Sequence, residues 1–394
     1  MRFPILPALM ILLVNGVVDF LIYHIIKKSK FSRPWAKIQL WSALALALFM
    51  IVMACMPKRN GSDTQLLVLM WSLYAYASVY VPKFIYLLFR LLSRLPILAR
   101  KKPWRALGRT GLILALVTFV LMWWGALINR FNIQTRYVEI PVPQLPAGFD
   151  GLRIAQISDL HVGTYGHDDS FVRELVDSVN ALHPDLIVFT GDMVNRRSEE
   201  FKPFIDAVSG LKAPLGVYSI MGNHDYGDYS DWPTPQDKDA DVQAIKSMQA
   251  KAGLKMLNND TDWIRINGDS IALIGVENIG DPPFKIYGDL KTAYPNLGDK
   301  NVKILLTHNP AHWENEIEDH DTNIALTLAG HTHAMQMELF GISPAALRYD
   351  KWGGLYTDSK GQNLYVNIGA GAVGLPYRIG ATPEITLFTL KKDK

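Results

Sequence analysis

The sequence predicts two physically different parts, a group of membrane-spanning helices followed by a layered α/β or α+β domain. Three observations lead to this prediction. The chain of 394 residues has four long apolar runs before residue 130, and from Arg136 onward it changes to short β-rich runs that end in polar residues. The formal net charge of +3 also divides at this point. Residues 1–130 hold 17 Lys and Arg but only two acids, a net of +15, which leaves a net of −12 for the rest.

Each apolar run is at least 18 residues long, close to the ~20 helical residues that a bilayer core of ~30 Å requires. Buried helices of a soluble protein would show a polar face at helical spacing, and the stretch from Ala43 to Met50 has none. The first run is too long for a signal-peptide core and no cleavage site follows it. We therefore expect four transmembrane helices, at Ile5 to Ile26, Gln39 to Met56, Gln65 to Leu92 and Gly111 to Ile128.

The loops between these helices predict their orientation. Lys and Arg concentrate in the loop after the first helix and in the loop after the third. The positive-inside rule places both loops in the cytoplasm, so both termini lie outside. The sequence thus predicts a multi-pass plasma-membrane protein with an extracytoplasmic C-terminal domain. Its only cysteine, Cys55, falls in a predicted helix, so that domain would fold without a disulfide.

Two polar residues of the first helix, Asn15 and Asp19, are four residues apart and share one face. A carboxylate inside a membrane is costly and usually faces a partner or a water-filled cavity. We favour hydrogen bonds between helices for this pair, with a role in a substrate path as the alternative.

The second half predicts a sheet-rich domain. Residues 136–142 alternate like a strand, and three prolines then mark a linker, so we divide the chain into residues 1–130, a linker with first strand at 131–150, and a domain at 151–394. Helical patterns at 169–182 and 239–252 lie among buried β-rich runs, which indicates layered architecture. The β-rich runs are Leu152–Ile157, Leu186–Thr190, Gly216–Met221, Ile271–Val276, Val302–Leu306, Ile324–Leu328, Leu364–Ile368 and Ile385–Leu390.

Metal-binding residue types follow five of these runs. The five segments are Ser158-Asp159-Leu160-His161, Gly191-Asp192, Gly222-Asn223-His224-Asp225, Thr307-His308-Asn309 and Gly330-His331-Thr332-His333. One His or Asp in a turn is usually a surface or capping residue, but five such turns, each directly after a β run, need another explanation. Loops at one edge of a sheet converge, and their glycines allow a close approach of the backbone. We therefore expect one cluster.

The chemistry of this cluster favours two hard or borderline metal ions. Carboxylates, imidazoles and an amide oxygen suit Mn²⁺, Fe or Zn²⁺, whereas a thiolate site would need cysteines. The candidate ligands outnumber what one ion can use. Two ions about 3.5–4 Å apart, bridged by a shared carboxylate, would use them.

In this order the motifs DxH, GD, GNHD, H and GHTH resemble those of the calcineurin-like metallophosphoesterase superfamily. The run from Leu364 to Arg378, followed by Pro383-Glu384-Ile385, resembles its membrane-tethered bacterial phosphodiesterase branch. The resemblance covers residues 136–394 and implies an α+β fold, a two-sheet β-sandwich flanked by helices. It also implies two divalent metal ions, with Mn favoured and Fe, Zn or Mg as alternatives, and attack on phosphorus by a hydroxide that bridges them.

The resemblance further implies a role for each matching residue. Asp192 would bridge the metals, and His224 would contact the phosphate and protonate the leaving oxygen. The remaining ligands would be Asp159, His161 and His333 for the first metal, and Asn223, His308 and His331 for the second.

The sequence departs from the family at two places. The family often has Asp three residues after the bridging Asp, where this chain has Asn195 followed by Arg196. An Asn can hold the imidazole of His224 by a hydrogen bond but cannot stabilise its protonated form as a carboxylate would. The second departure is Ala334-Met335, where this branch commonly has two glycines. We expect it to change the shape of the pocket rather than metal binding.

The segment 339–356 contains Arg348 and Trp352 among further aromatic residues. Ordinary loop packing is the favoured interpretation. The alternative is an aromatic and basic wall that receives an amphipathic phosphate substrate.

The leading hypothesis is a membrane-anchored enzyme that hydrolyses a phosphomonoester, phosphodiester or pyrophosphate bond. A lipid or lipid-linked substrate is expected, because the tether keeps the site near headgroups, and membrane lipids would be its partners. A soluble phosphate ester at the cell surface is the alternative. A transporter or receptor with a metal-binding sensor domain is a third interpretation, which the few polar residues of the membrane part disfavour. We expect no nucleic acid and no obligatory protein partner.

Overall fold

The computed structural model describes residues 5–28, 32–57 and 59–392. These residues form two compact units. One holds the described residues up to Leu127 together with Gly374–Tyr377, and the other holds Ile128–Val373 and the described residues from Arg378 onward. The division predicted at residue 130 lies close to the break after Leu127.

Four long helices make up most of the described part of the first unit. They are α1 (Ile5–Lys27), α2 (Ser32–Cys55), α3 (Asp63–Leu92) and α4 (Arg105–Leu127). Large apolar side chains stay exposed along them, with Leu13 71% and Trp41 69% exposed. A water-soluble unit would bury such surface, whereas a lipid environment favours it.

Three of the helical segments in the described residues are long and apolar enough to cross a membrane: Leu6–Lys27, Pro34–Cys55 and Arg105–Phe131. Helix α3 has 30 residues, ~45 Å of helix, but it is not among them. It carries Lys83 and Arg90 as well as many tyrosines. The membrane crossing of α3, and with it the count of four, stays a prediction.

The polar residues of α1 bond to neighbouring helices. The Asp19 carboxylate accepts hydrogen bonds from Gln39 of α2 at 2.8 Å, and from Tyr80 and Lys83 of α3 at 2.7 Å each. Asn15 donates to the hydroxyl of Tyr76, also on α3, at 2.6 Å. The predicted hydrogen bonding between helices is confirmed, and it joins three of them.

The second unit contains two sheets, each of six strands among the described residues. Their orders are β1-β12-β2-β3-β4-β5 and β10-β11-β9-β8-β7-β6, each with parallel and antiparallel pairs. The strands are β1 (Gln134–Val142), β2 (Arg153–Ile157), β3 (Leu186–Phe189), β4 (Val217–Ser219), β5 (Lys255–Met256), β6 (Asp260–Ile266), β7 (Asp269–Gly275), β8 (Lys303–Leu306), β9 (Ile324–Ala329), β10 (Gly354–Thr357), β11 (Asn363–Val366) and β12 (Glu384–Lys392).

Both faces of the central strands are buried, which explains their continuous apolar runs. Ile154 and Val188 of the first sheet pack with Leu328 of the second in one core cluster. On the opposite face, Ile157 packs with Leu175 of a flanking helix. The shorter helices of the unit are α5 (Ser170–Ala181), α6 (Ile205–Val208), α7 (Pro235–Lys251), α8 (Leu290–Ala293) and α9 (Ala311–Glu316). The predicted α+β fold, a helix-flanked two-sheet sandwich, is confirmed.

Candidate metal centre

Five parallel strands bring the predicted ligands to one place. Asp159, Asp192 and Asn223 lie just beyond the carboxyl ends of the adjacent strands β2, β3 and β4. His308 and His331 lie beyond the carboxyl ends of the adjacent strands β8 and β9 in the other sheet. The carboxyl edges of both sheets therefore supply one site.

The first group of ligands is fully enclosed by protein. Asp159, His161 and His333 are buried, and their ligand atoms lie within 4.8 Å of one another. The Nε2 atom of His333 is 3.1 Å from Nε2 of His161 and 3.3 Å from the Asp159 carboxylate. Nitrogen and oxygen atoms at this spacing can surround a single divalent ion.

A second group lies beside the first. The ligand atoms of Asp192, His308 and His331 also lie within 4.8 Å of one another. The Nδ1 atom of His331 is 3.3 Å from Nε2 of His308, and the Asn223 side-chain oxygen is 3.1 Å from the same Nε2. Asn223 thus adds an amide oxygen to this group.

One carboxylate oxygen joins the two groups. The Oδ2 atom of Asp192 lies 3.4 Å from Nε2 of His161 and 3.2 Å from Nε2 of His308. Its other oxygen, Oδ1, accepts the main-chain N–H of His224 at 2.8 Å. A single carboxylate between two ligand sets is the arrangement expected for a metal bridge.

Main-chain carbonyls orient two of the histidines. Nδ1 of His161 lies 3.2 Å from the carbonyl oxygen of Val194, and Nδ1 of His308 lies 2.8 Å from that of Thr190. An N–H at Nδ1 that donates to a carbonyl leaves the Nε2 lone pair free for a metal. The residues present therefore fit two divalent ions, by donor type as well as by spacing.

The charged groups shift one another's pKa in the metal-free protein. Burial opposes the charged form of Asp192, but the nearby histidines outweigh it and hold the Asp192 pKa well below its ordinary value. Burial also opposes protonation of His308, and the attraction of Asp192 and Asp159 overrides it and raises the His308 pKa to about 9. Burial lowers the pKa of His331 to about 3. The carboxylates thus favour the protonated form of His308, whereas burial disfavours that of its neighbour His331.

Most predicted ligands have left-handed backbone conformations, which are uncommon for residues other than glycine. Such strain persists only where the surrounding structure holds it, and it concentrates at functional sites. The φ angles are 53° at Asp159, 46° at His161, 61° at Asp192, 76° at His331 and 51° at His333.

Glycine makes the approach of these loops possible. A Cβ atom on Gly191 would lie 2.5 Å from the main-chain nitrogen of Gly222 and 2.9 Å from Nδ1 of His308, and the φ angle of Gly191 is +96°. A side chain would therefore separate strands β3 and β4 at the site. The predicted need for glycine is confirmed here.

The structure gives His224 a different support from the one expected. Its Nδ1 lies 2.7 Å from the main-chain carbonyl oxygen of Asn195. The Asn195 side chain instead donates to the hydroxyl of Thr164 at 3.1 Å. The expectation that this side chain holds the imidazole is corrected, because the loop turns its carbonyl, not its amide, toward His224. Burial lowers the pKa of His224 to about 4 in the metal-free protein.

Aromatic rings line one side of the centre. Tyr229 stacks on His224 with ring centroids 4.0 Å apart, and Phe284 meets His331 edge-on at 4.7 Å. The hydroxyl of Tyr349 lies 3.2 Å from Nε2 of His331. The rings thus place aromatic faces beside the centre, while the Tyr349 and Tyr229 hydroxyls contact the ligands His331 and Asn223.

The remaining substrate candidates have other partners, although the Arg348 guanidinium also lies 5.2 Å from the centre of the Tyr349 ring. Arg348 pairs with Asp281 and is 44% exposed. Arg196 is buried and its Nε atom lies 3.6 Å from the carboxylate of Glu200. Trp352 packs against a small apolar cluster that includes Ala334, which fits ordinary loop packing.

Sequence reasoning missed two buried supports of the centre. The Asp225 carboxylate accepts hydrogen bonds from the main-chain N–H groups of Asp192, Met193, Val194 and Gly222, at 2.9–3.2 Å. It therefore shapes the loop that carries the bridging carboxylate. In the sequence, the position of Asp225 in the GNHD motif was the feature that could have indicated this role.

The second support is Arg378, whose side chain is fully buried. It donates to the carbonyl oxygens of Gly371 at 2.7 Å and Ile368 at 2.9 Å, and its Nη2 lies 3.2 Å from Nδ1 of His333. Burial lowers the pKa of Arg378 to about 10. It lies in the C-terminal motif quoted above, where its charge was the only signal.

Comparisons with known proteins match both parts of the chain. Residues 152–335 match a family described as "Calcineurin-like phosphoesterase", and residues 1–130 match one described as "Probable Calcineurin-like phosphoesterase, transmembrane domain". An uncharacterized metallophosphoesterase of Bacillus subtilis is 31% identical over 66% of this chain and 86% of its own length.

Two further relatives add to this match. One matches nearly the whole chain, including the helical region, and the other is longer than this chain. A metallophosphoesterase of Campylobacter jejuni is 25% identical over 98% of both chains. A "Transmembrane protein with metallophosphoesterase domain" of Danio rerio is 30% identical over 72% of this chain, and the match spans 63% of the relative's length. Together with the metal centre, these matches show that the chain belongs to the calcineurin-like metallophosphoesterases, and is a membrane-associated phosphoester hydrolase.

Proposed function

We propose that the protein hydrolyses a phosphomonoester, phosphodiester or pyrophosphate bond of a lipid or lipid-linked substrate at the outer face of the plasma membrane. The observation that carries the hydrolytic part is the Asp192 carboxylate, one oxygen of which lies within 3.4 Å of both groups of metal ligands. Bound there, two divalent ions would supply a nucleophile at neutral pH and positive charge for the phosphate oxygens.

His224 is the residue that would handle the proton of the leaving group. The carbonyl of Asn195 accepts from its Nδ1–H, which leaves Nε2 as the atom that can give or take a proton. The main-chain N–H of His224 also holds the bridging carboxylate. His224 therefore both provides the proton donor and holds the carboxylate that bridges the two groups of metal ligands.

A lipid substrate is supported by how the chain joins its two parts. Helix α4 ends at Leu127 and strand β1 begins at Gln134, so the connecting segment spans about 24 Å at full extension. The catalytic unit therefore has a high effective concentration toward lipids. The aromatic faces of Tyr229, Phe284 and Tyr349 beside the centre also offer contact area to the apolar part of an amphiphile.

The outer location rests on the basic loops. Described residues after α3 include Arg94, Arg100, Lys101 and Lys102, which the positive-inside rule places in the cytoplasm. A reporter fused after residue 394 should then behave as extracytoplasmic. A cytoplasmic signal would overturn this orientation without touching the proposed chemistry.

The central experiment compares two substrates on one preparation. Full-length protein in nanodiscs, loaded with Mn²⁺, is assayed on extracted membrane phospholipids and on an aryl phosphodiester. We expect Asp192→Ala to abolish both activities. We expect the wild type to have a higher kcat/KM on the phospholipids than on the aryl phosphodiester. Full activity of the variant would overturn the hydrolase assignment. Equal or better use of soluble esters would overturn the lipid part alone and favour the soluble alternative.

A further inference from the structure

An exposed apolar loop follows the last metal ligand. We call residues 339–347 the apolar finger, and they include no charged side chain. Exposed fractions reach 103% at Phe340, 92% at Leu347 and 73% at Ile342, with Leu339 at 46%. Large apolar residues scattered singly over a surface are ordinary, whereas four exposed within nine residues concentrate apolar surface in one loop, a feature typical of interaction sites.

The tip of the finger is built to expose Phe340. Leu339 and Ile342 exchange main-chain hydrogen bonds of 2.9 and 3.0 Å, which closes a two-residue turn. Both turn residues, Phe340 and Gly341, have positive φ angles, 55° and 78°. Such turns prefer Asn, Asp or Gly, and a bulky residue there is a genuine outlier. The strained turn therefore places an aromatic side chain where a polar residue would be more stable in water.

The base of the finger is firmly held. The Ser343 hydroxyl donates to the carbonyl of Ala334 at 2.6 Å, and the N–H of Glu338 donates to the carbonyl of Ile379 at 2.8 Å. Ala345 is fully buried. The finger is therefore a fixed projection rather than a frayed loop, and no rearrangement is needed to present its apolar tip.

We propose that the apolar finger inserts into the surface of the membrane in which the chain is anchored. A bilayer is the occupant that the observations favour, because the chain itself carries helices long and apolar enough to span one and connects them to this unit by a short segment. Exposed Phe and Leu side chains such as Phe340 and Leu347 are of the kind that interfacial anchors bury at the boundary of headgroups and acyl chains. A protein partner would instead need a closely complementary surface that packs around the tip.

Insertion would affect how substrate reaches the site. The finger begins a few residues after His333, and Ala334 links the two through its contact with Ser343. The finger would thus hold the metal centre near the lipid headgroups. This inference bears on the substrate of the proposed function but does not rest on which bond is cleaved.

The test measures the depth of the tip in a bilayer. Full-length protein with Cys55→Ser and Phe340→Cys is labelled with an environment-sensitive fluorophore and placed in phosphatidylglycerol–phosphatidylethanolamine nanodiscs. We expect lipids with a nitroxide on carbon 5 of the acyl chain to quench the label at least twofold. The same label at Lys300→Cys, an exposed polar position, should not be quenched. Leu347→Cys is labelled in the same way as a second finger position, which also keeps the test valid if Phe340→Cys does not fold.

Two results would overturn the proposal. A label that stays in water at both finger positions excludes insertion. A label shielded from water but untouched by the nitroxide lipids would show that the tip packs against protein, such as a second copy of the chain, instead. Hydrolysis of an aryl phosphodiester by the same preparations reports separately on the metal centre, so that failure of the finger and failure of the proposed function are distinguishable.

Discussion

The Nδ1 atom of His224 lies 2.7 Å from the main-chain carbonyl oxygen of Asn195, whose side-chain amide donates to Thr164. A main-chain acceptor fixes the imidazole whatever side chain residue 195 carries. It also carries no full charge, so it stabilises a protonated imidazole less than a carboxylate would. The common Asp of the family is therefore not needed at this position to orient His224.

The first prediction follows from this contact. Asn195→Ala should lower kcat less than tenfold, because the carbonyl stays in place. His224→Ala should lower kcat by about 10²–10⁴, the usual contribution of a general acid. Steady-state kinetics on an aryl phosphodiester measure both. An Asn195→Ala loss as large as that of His224→Ala would show that the side chain, and not the carbonyl, positions the imidazole.

The second prediction concerns the left-handed run after His333. Ala334 and Met335 have φ angles of 50° and 46°, where the related branch commonly has two glycines. Left-handed conformations cost residues other than glycine about 1–2 kcal/mol each. We therefore expect Ala334→Gly and Met335→Gly to raise the unfolding free energy by about 1 kcal/mol each.

A matched control lies close by. Ala346→Gly, at an exposed position of the helical turn Pro344–Leu347, should be destabilising by about 0.5–1 kcal/mol, because glycine loses more entropy there. Thermal unfolding in detergent compares the three variants. Destabilisation by both Ala334→Gly and Met335→Gly would mean that lost side-chain packing outweighs the relief of strain.

The departures at Asn195 and at Ala334-Met335 show what a sequence can and cannot reveal. The order of the ligands and the buried strands were predictable, since motifs and the periodicity of apolar residues depend on residues close together in the chain. The hairpin of β6 and β7 was missed although Asn267-Gly268, with φ angles of 51° and 90°, is a common hairpin turn. The carbonyl contact of Asn195 was not predictable, because it depends on the direction of a loop held by long-range hydrogen bonds.

The third prediction tests the buried ion pair of the helical unit. Lys83 donates to Asp19 at 2.7 Å, and their side chains are only 16% and 8% exposed. Lys83→Met would leave the carboxylate without its cation, and breaking a buried pair costs about 3–5 kcal/mol. Asp19→Asn combined with Lys83→Met should recover part of this loss. Thermal unfolding of the purified full chain measures this loss of stability. Equal losses of stability in the single and double variants would contradict a pairwise contact between Asp19 and Lys83.

The fourth prediction concerns Asp225, which touches no ligand atom but shapes the loop that carries Asp192. Each of its two oxygens accepts two main-chain N–H groups. In Asp225→Asn the amide nitrogen would face two donors, so Asn should be nearly as harmful as Ala. Because supports of this kind tune ligand geometry, we expect both variants to lower metal affinity about 10–100-fold.

Titration calorimetry with Mn²⁺ measures the affinity. The control is Asp228→Asn, at a partly exposed carboxylate that pairs with Lys238. Wild-type affinity in Asp225→Asn would show that loop shape does not depend on this carboxylate.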